Sequence, residues 1–348
     1  MSETSDTDIS QRFRGCILGG AVGDALGFAT ENLSRHRIRK RFQSVSDYKV
    51  RPGYGYFTDD TQLTVMMAES LIENDELLIE NFRKKLARWR LVFPRLSGRA
   101  TKDAALRCLL GKKETGGNFP GSSPAMRAAP LGLFYGADEE LLFAKTVESS
   151  KVTHTHTGAI GAALAVAFAV AYLVKQDNAQ LETDRFLTRI AEATGRVDAN
   201  LAQEIESLHS MLSWDEDQAL AELHKNSSVM GMPIRDLILS SIYAFIRTPN
   251  SYSDSVLFCV NAGWDTDTMA AICGNLSGAF NGFSGIPEHW LKYLENDYKG
   301  RDYLLRLADC LHDHTQMQDP PNPVLDYICD FTHNTLLLTQ MLFLKPMA

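Results

Sequence analysis

The 348-residue chain is poor in features that would place it outside a reducing compartment or across a membrane. Its six cysteines, Cys16, Cys108, Cys259, Cys273, Cys310 and Cys329, are scattered and form no CxxC pair, which argues against a disulfide framework. Residues 1–10 are polar and acidic, with neither a basic start nor an apolar stretch, so no secretory signal is expected. The longest apolar run, 158–174, falls short of a membrane span and predicts a buried central helix. Alternating apolar and polar runs are too short to demand a sheet. The balance of 35 basic against 43 acidic residues gives a net charge of −8, which argues against a phosphate-neutralising surface. These absences predict a cytoplasmic protein with no nucleic-acid partner and no membrane.

Helical periodicity dominates instead. It predicts helices over 12–29, 61–72, 80–92, 100–110, 125–134, 141–149, 158–174, 183–193, 199–212, 233–246, 253–260, 268–280, 303–312 and 324–344. With 45% hydrophobic residues and no linker-like segment, the chain reads as all-α, a compact multi-helical single domain. A short, flexible acidic terminus is expected over 1–10 and the domain over 11–348.

Two of these helices carry glycine at four-residue intervals: Gly15, Gly19, Gly23 and Gly27, then Gly274, Gly278 and Gly282. Each costs about 1 kcal/mol against alanine in a helix, so the pattern needs a cause. The spacing makes one stripe, along which another backbone can approach closely. Tight packing explains the glycines themselves, and it would draw the polar residues of the same segments together.

Three segments hold carboxylates. Asp24 is followed seven residues later by Glu31, on the same face if the first helix extends so far. Thr58-Asp59-Asp60-Thr61 and Asp265-Thr266-Asp267-Thr268 each stand directly before a helix. Either motif alone could be a helix cap. Capping needs one side chain, however, and adjacent anions repel unless a cation lies between them. Two such clusters therefore point to a shared cation site. All the donors are hard oxygens with no interleaved Cys or His, which suits Mg²⁺, Mn²⁺ or Ca²⁺ and argues against zinc. Even six of these oxygen-bearing side chains exceed what one Mg²⁺ takes from protein, so two ions are expected.

These residues carry a resemblance. Gly15 to Gly27 with Glu31, Thr58-Asp59-Asp60-Thr61, Met126-Arg127-Ala128-Ala129-Pro130-Leu131-Gly132, Thr153-His154 and Asn261 to Thr268 occur in an order that resembles the ADP-ribosylglycohydrolases, over roughly 13–283. The resemblance implies an all-α fold with two Mg²⁺ ions (or Mn²⁺), held by Thr58, Asp59, Asp60, Asp265, Asp267 and Thr268. It implies catalytic roles for Glu31, Asp59 and Asp60. Ser97 to Thr101 is loosely similar to the family's substrate loop, which makes Gly98 and Thr101 candidates for substrate contact. Gly121, Ser122, Ser123, Met126, His154 and Trp264 join them. Two positions depart from the family pattern: Gly121-Ser122-Ser123 replaces Gly-Asn-Gly, and Gly263-Trp264 replaces Gly-Gly. Both departures bear on substrate fit; Trp264 could stack on a substrate or narrow its pocket.

The implied activity is hydrolysis of the bond between ADP-ribose and a protein side chain, arginine favoured, with an ADP-ribosylated protein as partner. The alternative is an immunity-type protein that binds and blocks an ADP-ribosyltransferase toxin, with or without hydrolase activity; the acidic head at 2–8 could be its blocking arm or simply a disordered terminus, the reading favoured here. A terpenoid synthase would need further carboxylates where Gln62, Leu63 and Thr64 stand, and an Asp-x-Asp transferase would need an α/β sheet. The pair His154 and His156 could equally be a polar helix start. His312-Asp313-His314 reads as surface, and Trp89, Trp214 and Trp290 as packing residues.

Overall fold

A computed structural model of the protein describes residues 6–50, 53–92, 94, 97–176, 180–228, 231–320 and 322–344. The order begins α1 (Asp6–Gly27), β1 (Leu33–Ser34), α2 (Arg35–Phe42), α3 (Asp59–Ile72), α4 (Ile79–Trp89), α5 (Arg99–Leu109) and α6 (Ser123–Met126). It continues α7 (Ala129–Tyr135), α8 (Glu139–Lys151), α9 (Thr157–Leu173), α10 (Thr183–Gly195), α11 (Ala199–Ser207), α12 (Glu216–Leu223) and α13 (Ile234–Arg247). It ends α14 (Tyr252–Ala262), β2 (Gly263–Trp264), α15 (Thr266–Asn281), α16 (Glu288–Tyr293), α17 (Arg301–Asp313) and α18 (Pro323–Leu344). The fold is all-α, with one two-strand antiparallel ladder pairing Leu33 with Trp264 and Ser34 with Gly263.

The two glycine stripes face each other. A methyl group on Gly15 would lie 2.3 Å from the Gly278 carbonyl oxygen, on Gly19 2.4 Å from that of Gly274, on Gly23 2.0 Å from that of Ala270, and on Gly27 2.4 Å from that of Thr266. The descending partners make α1 and α15 antiparallel, backbone against backbone. The C-terminal end of α1, with Asp24, is thereby laid against the N-terminal end of α15, with Asp267. Thr266 Oγ1 donates to the Gly27 carbonyl at 2.9 Å and Thr30 Oγ1 to Thr266 Oγ1 at 3.0 Å, which fastens that end.

α9 is buried along its whole length except Thr157 and Tyr172, as an apolar sequence with no polar face requires. Among the described residues no helix is long and apolar enough to cross a membrane. α4 shows the opposite pattern, burying Phe82, Leu86 and Trp89 at helical spacing and exposing charge elsewhere.

Several expectations are corrected. The helix expected over 125–134 is two helices, broken at Arg127 and Ala128, with Pro130 in the first turn of the second. α1 ends at Gly27 and gives way to a 3₁₀ turn over Phe28–Thr30, so Asp24 and Glu31 share no helical face. α2, α12 and α16 were not expected. α2 is the basic run Arg35 to Arg41 and buries only Ile38, so it has no apolar period to read. Its Arg35 pairs with Glu216 and Asp217 at the start of α12. Of the acidic head, residues 2–5 lie outside the described residues and 6–8 already belong to α1. His314 binds Asp75 at the surface while His312 packs on Phe13, and Trp89 and Trp290 are buried.

Candidate active site

Asp24 organises the site. Its two carboxylate oxygens each accept the Thr58 N–H at 2.9 Å, and Oδ2 also accepts the Thr61 N–H at 3.1 Å and the Thr61 hydroxyl at 2.6 Å. A carboxylate from α1 therefore receives the free N–H groups at the start of α3, where an anion is favoured. The resemblance did not include Asp24 among the ligands, and its position inside Gly23-Asp24-Ala25-Leu26-Gly27 was the only signal for it.

The two distant turns meet on Asp60. Thr58 Oγ1 donates to Asp60 Oδ2 at 3.1 Å, and Thr268 Oγ1 donates to the same oxygen at 3.4 Å. Asp24, Asp60 and Asp267 each bring an atom into one group whose members lie within 4.8 Å of one another. Thr58 does cap α3, accepting the Asp60 N–H at 3.4 Å. Asp265, at the equivalent place on α15, makes no capping hydrogen bond with its side chain. Capping alone therefore does not account for the second motif.

Asp59, Asp60 and Asp267 are buried. Burial first, then the charges of Asp24, Glu31 and Asp265, hold Asp59 well above the usual carboxylate range. Burial and the charges of Asp24, Asp59 and Asp265 do the same to Asp60. Burial with Glu31, Asp265, Asp60 and Asp24 does so for Asp267. Burial also pushes Asp24 up to about 6, against hydrogen bonds from Thr61 and Thr58 that favour its anion. Burial raises Asp265, opposed by its polar neighbours Asp267 and Thr268. The group thus repels itself, and among the described residues no cation bears on Asp59, Asp60 or Asp267. Asp60 Oδ1 is buried with no hydrogen-bond partner among the described residues. Hard oxygen donors, mutual repulsion and an orphaned carboxylate oxygen together fit a divalent cation.

Glu31 lies just outside the helix and bears electrostatically on Asp59 and Asp267, so the structure brings it to this group. The β1–β2 ladder holds it there, because the Asn32 N–H donates to the Trp264 carbonyl at 2.7 Å. Trp264 has φ +72°, a left-handed conformation that favours glycine, at the position where the family pattern has glycine.

The Met126 segment joins the site through α3, since Thr64 Oγ1 donates to the Met126 carbonyl at 3.0 Å one turn after Asp60. Ser122 Oγ lies 3.6 Å from Met126 Sδ. Gly121 leaves room for His154, since a methyl there would sit 2.4 Å from His154 Nε2. The two histidines separate in role. His156 caps α9 by accepting the Gly158 N–H at 3.1 Å, whereas His154 is buried beside Gly121. Gly98 is exposed and Thr101 buried on α5, which packs on α4; no hydrogen bond joins either to the carboxylates among the described residues. A cavity of about 960 Å³ opens on the other flank of α3, lined by Phe57, Gln62, Glu69, Trp89, Lys299 and Tyr327.

The profile of the ADP-ribosylglycohydrolase family matches residues 5–321. An uncharacterized protein of Archaeoglobus fulgidus is 35% identical over 312 residues, covering 88% of this chain and 97% of its own. The ADP-ribosylarginine hydrolase Tri1 of Serratia proteamaculans is 26% identical, over 83% of this chain and 76% of its own. The ADP-ribosylhydrolase ARH3 of Homo sapiens is 25% identical, over 86% and 93%. A solved structure described as an ADP-ribosylglycohydrolase-related protein complex superposes with a TM-score of 0.70 at 23% identity, covering 89% of this chain and all of that one, and so shares the fold.

Proposed function

The chain belongs to the ADP-ribosylglycohydrolase family, and from that we propose that it cleaves the bond between ADP-ribose and a protein side chain, arginine first, with two Mg²⁺ ions at the aspartate group. The observation that carries the proposal is the meeting of the Thr58 and Asp265 turns on Asp60, with Asp24 closing the group. The similarity to a relative named an ADP-ribosylarginine hydrolase supports the choice of linkage.

Thr58, Asp59, Asp60, Asp265, Asp267 and Thr268 would hold the cations, with Asp24 shaping the Thr58 turn. When bound, such ions supply Lewis acidity and a fixed positive charge toward the ribose hydroxyls. Glu31 carries the proton. It takes one from water as the water oxygen bonds to C1″, and returns one to the guanidine nitrogen as the C1″–N bond breaks. Gly121 to Ser123, Met126 and His154 line the approach for the rest of ADP-ribose, and Trp264 flanks Glu31.

The test uses enzyme stripped with EDTA, then supplied with Mg²⁺ or Mn²⁺, on arginine-linked and serine-linked ADP-ribosylated proteins. Release of ADP-ribose from the arginine substrate should return only with metal and should vanish in Asp60→Ala and Asp267→Ala. Full activity in the stripped enzyme would overturn the metal proposal. Release from the serine substrate alone would overturn the linkage.

A further inference from the structure

Arg127 stands in the break between α6 and α7 and is completely buried. Its guanidinium forms no ion pair among the described residues. Nη1 donates to Ser123 Oγ at 2.9 Å, while Nη2 donates to the Ser149 carbonyl at 3.0 Å and to Thr153 Oγ1 at 2.9 Å. The cation also lies 5.1 Å above the Phe82 ring. Burial lowers its pKa to about 9, which leaves it protonated at neutral pH.

This arrangement constrains a proton two groups away. Thr153 Oγ1 accepts from a permanent donor, so its own hydrogen must point elsewhere. Two acceptors are within reach: His154 Nδ1 at 2.9 Å and the Ser150 carbonyl at 3.4 Å. The shorter contact lies close to the usual hydroxyl hydrogen-bond length and the longer lies well outside it. A hydroxyl that donates to Nδ1 requires Nδ1 to be bare and Nε2 to carry the ring proton. Burial and then the charges of Arg127 and His156 lower the His154 pKa to about 3, so the ring stays neutral. Nε2 has no protein hydrogen-bond partner among the described residues and lies against Gly121, in the volume that a side chain there would fill. Gly121 leads into α6, which packs on both α3 and α15, the two helices that begin with the acidic turns.

We propose that Arg127 and Thr153 are positioning residues that lock His154 as the neutral Nε2–H tautomer, so that it offers one fixed hydrogen bond to an oxygen of the ADP-ribosyl group and takes no part as a base. The identity of the acceptor rests on the proposed hydrolase function; the tautomer lock does not. It also explains why a cation with no carboxylate partner is kept at the core. A neutral donor there would be lost if Thr153 could rotate freely.

The test is made on the full chain. Imidazole ¹⁵N–¹H correlation spectra of labelled protein, with the His154 signals identified by their loss in His154→Gln, report the tautomer without any need for activity. The Nε2–H form is expected throughout the range from about pH 5 to 8. An Nδ1–H form, or an imidazolium at the acidic end, overturns the lock. Thr153→Val should mix the tautomers and Thr153→Ser should restore the single one; an unchanged tautomer in Thr153→Val also overturns it. Added ADP-ribose should shift the His154 Nε2–H resonance, and saturation without a shift removes the ligand role. In the hydrolase assay Thr153→Val should raise KM about tenfold with kcat nearly unchanged, the signature of a lost binding contact, and Thr153→Ser should return it. An inactive wild type with an Nε2–H ring would count against the hydrolase and leave the lock standing.

Discussion

Asp24 grips the Thr58 N–H with both carboxylate oxygens, at 2.9 Å each. The bond joins the end of α1 to the start of α3, and it sets the direction in which Thr58, Asp59 and Asp60 face α15. Asp24→Asn keeps the shape but places an NH₂ group against donors from Thr58 and Thr61, where only acceptors serve. Its effect should appear as a loss of Mg²⁺ affinity of about 10–100-fold, the usual result of disturbing a group that orients ligands. Titration calorimetry measures this directly, and affinity within twofold of the wild type would show that Asp24 does not orient the turn.

Much of this geometry was legible before the structure. Four-residue glycine spacing predicted close backbone approach, and the structure shows the two stripes to be each other's partner. Paired Asp-Thr turns predicted a meeting of distant acidic segments, and they meet on Asp60. What stayed hidden depends on contacts far apart in the chain. Asp24 matters through N–H groups 34 and 37 residues away, which no local pattern encodes. α2 stands by ion pairs to α12 and one buried isoleucine, so its sequence looks like a loop. Arg127 would be read as a surface charge by residue type, and only the folded chain supplies its acceptors.

The glycine stripe gives a second prediction. Alanine is preferred over glycine in a helix by about 1 kcal/mol, so Gly278→Ala would stabilise an isolated α15. In the fold its methyl would lie 1.9 Å from the Gly15 carbonyl oxygen, a backbone atom that cannot turn aside. Overpacking should reverse the sign and destabilise by about 3 kcal/mol or more in urea unfolding. Gly195→Ala is the control, because its methyl would meet only Ala202 Cβ at 3.4 Å, and it should be nearly neutral. Equal effects from the two substitutions would refute the backbone-contact account.

Trp264 supplies a third. A side chain at φ +72° carries a steric cost that glycine avoids. Comparing two truncations separates that cost from the loss of the indole. Trp264→Gly should be more stable than Trp264→Ala by about 1 kcal/mol, the reverse of their order inside a helix. Chemical denaturation of the pair decides it: alanine equal to or better than glycine would mean that the ladder imposes no strain at this position.

Glu69 lies at the far end of α3 from the aspartates and sets a pH limit on the fold. Tyr303 Oη donates to its Oε1 at 2.6 Å, Lys299 Nζ lies 2.8 Å from the same oxygen, and Lys85 Nζ lies 3.0 Å from Oε2. Burial alone would raise the Glu69 pKa, but the charges of Lys299 and Lys85, with hydrogen bonds from Lys299 and Tyr303, bring it down to about 2 from an ordinary 4.5. Because the folded value is the lower one, the unfolded chain binds the proton first as acid is added. The stabilisation is therefore complete above about pH 4.5 and is lost as the pH falls toward about 2, a change on the order of 3 kcal/mol. Glu69→Gln cannot titrate and leaves two lysines short of a partner, so it should be less stable than the wild type at neutral pH. The gap between the two proteins should shrink steadily through that acidic window. Denaturant melts of the pair across the window measure the gap, and a gap independent of pH would show that the lysines do not hold Glu69 in its charged form.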